Sequence, residues 1–335
     1  MSGLRERRAL GALGMALAML VTAAGCGRLD PPASPADPAD ASAGHAGGPE
    51  YATVGALVAD AGFRPTAHGF GFENYGTRLA DGSTATNMTA DDVRAMFGDA
   101  VCADLATGRC DLMPAAQAWL DSTNEEMGNG HCYGFSVAAQ LLWQRKADAG
   151  AYGASRTPQL DITDNDPLQR RIAYDWALQL LDSVRSGEVT GTPNEILARL
   201  RKVLRPDPPE TYTVAIFKPD WTGGHAVTPY AVENRGGGRY NVLIYDNNWP
   251  GTTRAIAFDT RADTWTYDAA INPNRPDELY HGNAKTKTIS LFPTSPGLGP
   301  QHCPFCAKRP RRAPLPANAI AAMADGKETA EIYLD

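Results

Sequence analysis

The chain has 335 residues, a formal net charge of −7 and six cysteines. Its first 25 residues contain three arginines and one glutamate, so their removal would leave a charge of −9. A chain this acidic disfavours nucleic acid as a partner, because the phosphate backbone would repel it. The one basic cluster, Lys308–Arg312, is typical of a solvated loop. We therefore expect no nucleic-acid partner.

The N-terminus has the pattern of an export signal. A basic start (Arg5 to Arg8) precedes an apolar stretch from Ala9 to Ala24 that ends in small residues and is short for a membrane span. Val21 to Cys26 resembles a bacterial lipobox, which implies cleavage before Cys26 and lipidation of that cysteine. The alternative is an ordinary secretory signal. A lipid anchor at Cys26 would place the rest of the chain outside the cytoplasm, tethered to a bacterial membrane.

Composition divides the remainder of the chain into three parts. Residues 26–50 are rich in Pro, Ala, Asp and Gly and predict a linker that cannot bury enough apolar surface to fold. Residues 51–300 predict one globular domain. Residues 301–335 form a tail that contains a CxxC pair. Its last six residues, 330–335, have the composition of a strand, so we expect that the chain is truncated there or ends by adding an edge strand.

The cysteine spacing indicates an oxidising compartment. Once Cys26 is assigned to lipid, the close sets are expected to pair, which gives Cys102 with Cys110 and Cys303 with Cys306. Zinc or redox chemistry at the CxxC pair is the alternative, but no second ligand pair has suitable spacing and Pro310 disfavours a following helix. We expect no metal and no cofactor. Cys132 is left without a cysteine nearby in the sequence to pair with, as is expected of a reactive thiol.

The hydrophobic period changes along the domain. A 3.6-residue period and helix-start signals predict five helices. The first starts at Thr89, with Asp92 three positions on, and ends at Phe97; the second begins at Pro114; and the third spans 132–147. The fourth starts at Asp166, its expected N-cap, and ends before Gly187, and the fifth runs from the capping box at Thr192 to Leu204. A period of two then predicts strands over 211–217, 225–233, 239–245, 253–259 and 285–292, with a turn at 236–238. Helices followed by antiparallel strands predict an α+β domain.

Three short segments carry the chemistry. Cys132 lies between Gly130 and Gly134 at the start of an apolar helix, where unsatisfied amides favour a thiolate. His225 opens one predicted strand, and Asp246 ends the next after a glycine turn, so the two should lie side by side. A histidine held in one tautomer by a carboxylate can take a proton from the thiol. The pattern predicts a nucleophilic Cys132–His225–Asp246 site.

These segments resemble the motifs of papain-like cysteine peptidases. The nucleophile motif is Gly-His-Cys-Tyr-Gly-Phe-Ser (130–136), the histidine motif is Gly-His-Ala-Val (224–227), and the third is Val-Leu-Ile-Tyr-Asp-Asn-Asn-Trp (242–249). The resemblance covers roughly residues 110–260. It implies a two-lobed domain with a helical N-terminal lobe and an antiparallel β-sheet in the C-terminal lobe. It also implies hydrolysis of peptide or related amide bonds through a thioester.

The resemblance has one departure, and several alternatives stay open. Glu126 stands where the family has a glutamine that binds the oxyanion; Asn124 and Asn129 are the nearby amides that could replace it. Asn247 is the alternative orienting residue to Asp246. His131 is expected in the substrate cleft. The alternative functions are a transglutaminase-like acyltransferase or amidase on the same site, and an inactive surface-binding domain, which Glu126 favours.

Overall fold

The computed structural model describes residues 51–105, 108–221, 223–267 and 279–306. The export signal, Cys26, the linker and residues 307–335 of the tail lie outside the described residues. Across the ranges that are described, no helix has the length and apolar character needed to cross a bilayer.

Seven helices are found in the described residues, and sequence signals explain where most of them begin. They are α1 (Pro65–His68), α2 (Ala90–Phe97), α3 (Pro114–Glu126), α4 (Cys132–Trp143), α5 (Asp166–Ala177), α6 (Asp182–Arg185) and α7 (Pro193–Val203). Capping boxes at Thr89 and Thr192 begin α2 and α7, and proline at the first position begins α3, as expected.

Two helix predictions need correction. The single helix expected from Asp166 to Gly187 is wrong, because α5 ends at Ala177 and an extended residue, Leu181, separates it from α6. The cap of α5 is Asn165, whose side chain accepts from the Leu168 amide, rather than Asp166. The helix predicted over 132–147 ends earlier, at Trp143.

Nine of the described strands form one antiparallel sheet. Eleven strands are described, of which β2 and β3 pair with each other outside this sheet: β1 (Ala56–Asp60), β2 (Cys102–Asp104), β3 (Asp111–Leu112), β4 (Val189–Thr190), β5 (Tyr212–Phe217), β6 (Gly224–Gly236), β7 (Arg239–Tyr245), β8 (Thr253–Asp259), β9 (Thr264–Tyr267), β10 (Tyr280–Asn283) and β11 (Ile289–Pro293). The sheet order is β10-β9-β8-β7-β6-β5-β11-β4, with β1 also paired to β6. The α+β prediction is confirmed, although β1, β4, β9 and β10 were not expected and β11 begins four residues later than expected.

Helices cover both faces of the sheet. On one face the Ser136 hydroxyl of α4 bonds to the hydroxyls of Thr213 on β5 and Thr228 on β6. On the other face α7 packs its buried leucines and isoleucine against apolar residues of β5, β6 and β11. Because side chains alternate along a strand, the sheet separates these two cores, with Ala226 of β6 in the core on the α4 side and Val227 in the core on the α7 side.

Both predicted disulfides of the described residues are present. Cys102 bonds to Cys110 and Cys303 to Cys306. The second disulfide lies against the helical side of the domain, because the Phe305 ring packs on Phe97 and Trp119. Residues 301–306 therefore belong with the globular domain rather than with a separate tail. The two disulfides fit an oxidising compartment.

Candidate functional site

Cys132 is the first residue of α4, a helix that is buried along its length except at its last residue, Trp143. Gly130, two residues before it, has φ +125°, a backbone conformation that residues other than glycine rarely adopt. In the first turn, a Cβ on Gly134 would lie 2.0 Å from the carbonyl oxygen of Ile172 on α5. The two glycines thus allow the turn into α4 and the close contact of α4 with α5. The Cys132 side chain is 2% exposed.

The structure brings His225 and Asp246 together as predicted. His225 Nε2 lies 2.7 Å from Asp246 Oδ1, and neither side chain is exposed. β6 and β7 pair in the register that sets Thr228 opposite Tyr245, which leaves His225 and Asp246 at the same end of this two-stranded ribbon. The histidine ring is therefore held by a carboxylate at one nitrogen.

Asp246 is ionised by its surroundings even though it is buried. The Asn248 amide donates to Oδ1 at 2.9 Å, and the Tyr267 hydroxyl donates to Oδ2. Burial raises the pKa of this carboxyl, but the attraction of His225 and the hydrogen bonds from His225, Tyr267 and Asn248 outweigh it. The pKa of Asp246 therefore lies below its ordinary value.

Asn247 does not orient the histidine ring; it joins the two halves of the site. Its Nδ2 donates to the Cys132 carbonyl oxygen at 3.1 Å and to the Ala226 carbonyl oxygen at 2.9 Å. One side chain thus ties the first residue of α4 to the residue that follows His225. The sequence predicted Asn247 as an alternative partner of His225, and the described contacts assign that part to Asp246.

Two polar atoms of this site are buried and lack a hydrogen-bond partner among the described residues, namely His225 Nδ1 and Asn247 Oδ1. Buried polar atoms are nearly always paired, so each of these two atoms has the capacity to form a hydrogen bond with a further group. The Nδ1 atom is the nitrogen that Asp246 leaves open. It is the atom through which His225 could exchange a proton.

The Cys132 sulfur is in a disulfide in this structure, as are the sulfurs of the four other described cysteines. The expectation that Cys132 remains unpaired is therefore wrong for this oxidation state. A disulfide sulfur is not a nucleophile, because the thiolate is the reactive form. Chemistry at Cys132 requires its reduction.

Hydrogen bonds from residues 74–87 fix the position of the start of α4. The His131 amide donates to Asn74 Oδ1 at 2.8 Å, and the Asn74 amide donates to the Asn247 carbonyl oxygen at 2.8 Å. The ring nitrogens of His131 lie 2.7 Å from the Tyr75 carbonyl oxygen and 2.9 Å from Asn87 Oδ1. His131 is fully buried, so its predicted place in a substrate cleft is wrong. Burial lowers its pKa to about 4, although the Tyr75 bond opposes this.

The oxyanion candidates differ in what they contact. The Asn124 side chain bonds to both backbone groups of Met88, at 3.2 and 2.9 Å. Asn129 is exposed, and its amide lies 3.4 Å from the Glu126 carbonyl oxygen. Glu126 Oε2 is buried without a described partner. Burial first, and then the charge of Glu125, raise the pKa of Glu126 above its ordinary value.

Tyr267 is the site residue that sequence reasoning missed. It ends β9, a short strand that was not predicted, and nothing local marks it as a partner of Asp246. Only the buried, aromatic pattern of residues 264–267 could have pointed to a strand there. Among the described residues, no group of three or more His, Cys, Asp or Glu could hold a metal ion.

No family model, curated protein or solved structure matches the chain. The resemblance to papain-like peptidases therefore stays an interpretation of three short motifs and of the order in which they occur.

Proposed function

We propose that this protein is a cysteine-dependent hydrolase of peptide or related amide bonds. The observation that supports it best is the state of His225. Its ring is buried, an ionised Asp246 holds Nε2, and Nδ1 has no partner among the described residues. A histidine in this state is prepared to act as a base toward one further group. Asn247 ties the strand that carries it to Cys132.

The reaction follows from these groups. An external dithiol first reduces the Cys132 disulfide and is itself oxidised to a disulfide. The Cys132 thiol then gives its proton to His225 Nδ1, and the thiolate attacks the amide carbonyl carbon. The C–N bond then breaks, and His225 returns the proton to the departing amine. Water attacks the resulting thioester with His225 again as base, which frees the acid and restores the thiol. The backbone amide of Cys132 is proposed as one oxyanion donor.

A neutral Glu126 is proposed as the second donor. A protonated carboxyl can donate to a developing oxyanion, as the glutamine of the resembling family does, whereas an ionised one would repel it. A raised pKa of Glu126 is the direction that this proposal requires. It also implies better turnover in acid than at neutral pH. An acyltransferase or amidase would use the same residues and differ only in the substrate or acceptor.

We further propose that the protein acts outside the cytoplasm, bound to a bacterial membrane by lipid on Cys26, in the form whose Cys132 is a free thiol, because a lipidated Cys26 could not also pair with Cys132. The disulfides of the described residues support the oxidising compartment. The domain division at residue 50 and the papain-like two-lobed arrangement belong to the same proposal. Metabolic labelling with a fatty acid, compared with a Cys26→Ala variant, tests the anchor; equal labelling of both would contradict it.

The decisive experiment is the alkylation rate of Cys132 by iodoacetamide across pH 4–9. The intact protein is first reduced, and the rate is read from the Cys132 peptide by mass spectrometry, so that the other cysteines do not interfere. We expect fast reaction below pH 7 that is lost in His225→Ala. A thiol that reacts only above about pH 8, or only after unfolding, would be an ordinary buried cysteine.

If the thiol is activated, incubation with peptides shows what it does. Products are analysed by mass spectrometry with and without an added primary amine. Hydrolysed peptide in both incubations supports the hydrolase. Amine adducts as the main product would support the acyltransferase, and no product with a broad peptide set would support the binding domain.

A further inference from the structure

Asp246 receives a hydrogen bond from a residue outside the three motifs. The Tyr267 hydroxyl donates to Oδ2, while His225 and the Asn248 amide occupy Oδ1. Tyr267 lies on β9, whereas Asp246 directly follows β7, so its ring reaches past the intervening strand β8. Both residues are fully buried, with relative exposures of 1% and 0%. The contact is thus built into the core of the sheet.

The proton of this contact stays on the phenol. Burial, and then the Asp246 carboxylate, raise the pKa of Tyr267 well above its ordinary value, whereas the pKa of Asp246 is lowered. The Arg254 guanidinium of β8 acts on the same hydroxyl in the opposite sense and stacks on the Trp249 ring at 4.4 Å. Tyr267 is therefore a donor to Asp246 throughout the range in which the site would work.

Without this donor, Oδ2 would have no hydrogen bond among those described. A buried carboxylate with an unpaired oxygen is costly, and it either takes up a proton or turns toward another donor. Either change would loosen its hold on His225 Nε2, and the histidine could then present Nδ1 in more than one orientation.

We propose that Tyr267 is a positioning residue for the catalytic histidine, acting through Asp246. It fixes both the charge and the rotation of the carboxylate, so that Oδ1 faces His225 and Nδ1 stays directed to the group to be bound. This rests on the proposed function of the Cys132–His225 pair. The described hydrogen bonds of Tyr267 connect it to Asp246 and Arg254, so it would act on His225 through the carboxylate.

The test compares two tyrosines of the same sheet. In the Tyr267→Phe variant the donor to Asp246 is lost. The matched control is Tyr245→Phe, which removes the hydroxyl of another fully buried tyrosine, next to Asp246 in sequence. That hydroxyl accepts from the Phe70 amide at 3.1 Å and does not touch the carboxylate. Both changes keep the ring, so the loss of one buried hydroxyl is common to them.

The readout is the pH profile of Cys132 alkylation in the reduced, intact protein. Loss of the donor makes Asp246 easier to protonate, so we expect the acid limb of Tyr267→Phe to move upward by about one pH unit. We expect Tyr245→Phe to follow the parent profile. Equal profiles for the two variants would overturn the proposal for Tyr267, because a merely structural hydroxyl would not move the limb.

Two further measurements distinguish failure of the proposed function from failure of the proposal for Tyr267. If the parent and His225→Ala proteins react alike, the proposed function itself fails, whatever Tyr267 does. If Tyr267→Phe does not fold, Arg254→Met replaces it, because removal of the cation weakens the same donor. A smaller shift in the same direction supports the proposal, and an unchanged limb in Arg254→Met contradicts it.

Discussion

The ribbon of β6 and β7 carries a buried carboxylate and an asparagine at each end, and the two ends differ. At one end are Asp246 and Asn247; at the other are Glu233 and Asn241. Glu233 accepts from the Val54 and Gly55 amides at one oxygen, and from Tyr51 and Asn241 at the other. We call this second set, residues 51–55 with Glu233 and Asn241, the Glu233 clamp.

The two ends differ in hydrogen bonding: the carboxylate of the Glu233 clamp is fully hydrogen-bonded, whereas the candidate site is not. Both oxygens of Glu233 are occupied by groups that hold the N-terminal segment on the sheet. At the other end of the ribbon, His225 Nδ1 and Asn247 Oδ1 have no described partner. The same pairing of strands thus supports a closed structural network and an open one. These unpaired atoms, rather than buried charge alone, distinguish the candidate site from the Glu233 clamp.

The largest difference between the two ends should appear in reactivity. In Asp246→Asn the amide can no longer fix the tautomer of His225, and we expect turnover, or the rate of thiolate alkylation, to fall by roughly 10²–10⁴-fold. The measurement is the Cys132 alkylation rate at pH 6. A loss of less than threefold would mean that the carboxylate is structural, as Glu233 is.

For the Glu233 clamp we expect the opposite result, a loss of stability with little change in the reactivity of Cys132. In Glu233→Gln an amide group replaces a carboxylate that accepts hydrogen bonds from several donors. We therefore expect the free energy of unfolding in urea to fall by about 2–3 kcal/mol. The alkylation rate of Cys132 should stay within a factor of two. Glu195→Gln, at the exposed capping box of α7, is the control and should cost less than about 1 kcal/mol. Equal losses in the two variants would contradict the assignment of the clamp.

The two asparagines give a finer comparison. Asn247→Ala removes the donor shared by the Cys132 and Ala226 carbonyls, so the thiol is less firmly placed and alkylation should slow by about tenfold. Asn241→Ala removes a donor to Glu233 and should lower only the stability, by about 1 kcal/mol. Similar alkylation rates in both variants would show that Asn247 does not position the thiol.

The smallest expected effect is on acid stability. The Tyr51 hydroxyl, the Val54 and Gly55 amides and Arg235 outweigh burial, which opposes them, and lower the pKa of Glu233 below its ordinary value of 4.5. A lowered pKa stabilises the fold above 4.5, and this contribution is lost as the pH falls through the folded value. Urea midpoints between pH 7 and 3 should therefore fall less steeply in Glu233→Gln than in the parent. Parallel curves would contradict this.

Short-range signals explain the parts of the molecule that the sequence predicted well. The capping boxes at Thr89 and Thr192 and the disulfide between Cys102 and Cys110 each join residues that are close in the chain. The pair of His225 and Asp246 was predictable too, because a single glycine turn connects the two strands that carry them. In these cases the interacting groups and the element that brings them together lie in one segment.

Only the tertiary structure decided the rest. The contact of Tyr267 with Asp246 depends on a short strand, β9, whose place is set by its neighbours β8 and β10. The burial of His131 depends on residues 74–87, which have no regular structure to predict. Asn247 could have faced the histidine, and the register of β6 and β7 instead directed its amide to Cys132 and Ala226. Hydrogen bonds between distant segments follow from strand register and packing, and neither can be inferred from local residue patterns.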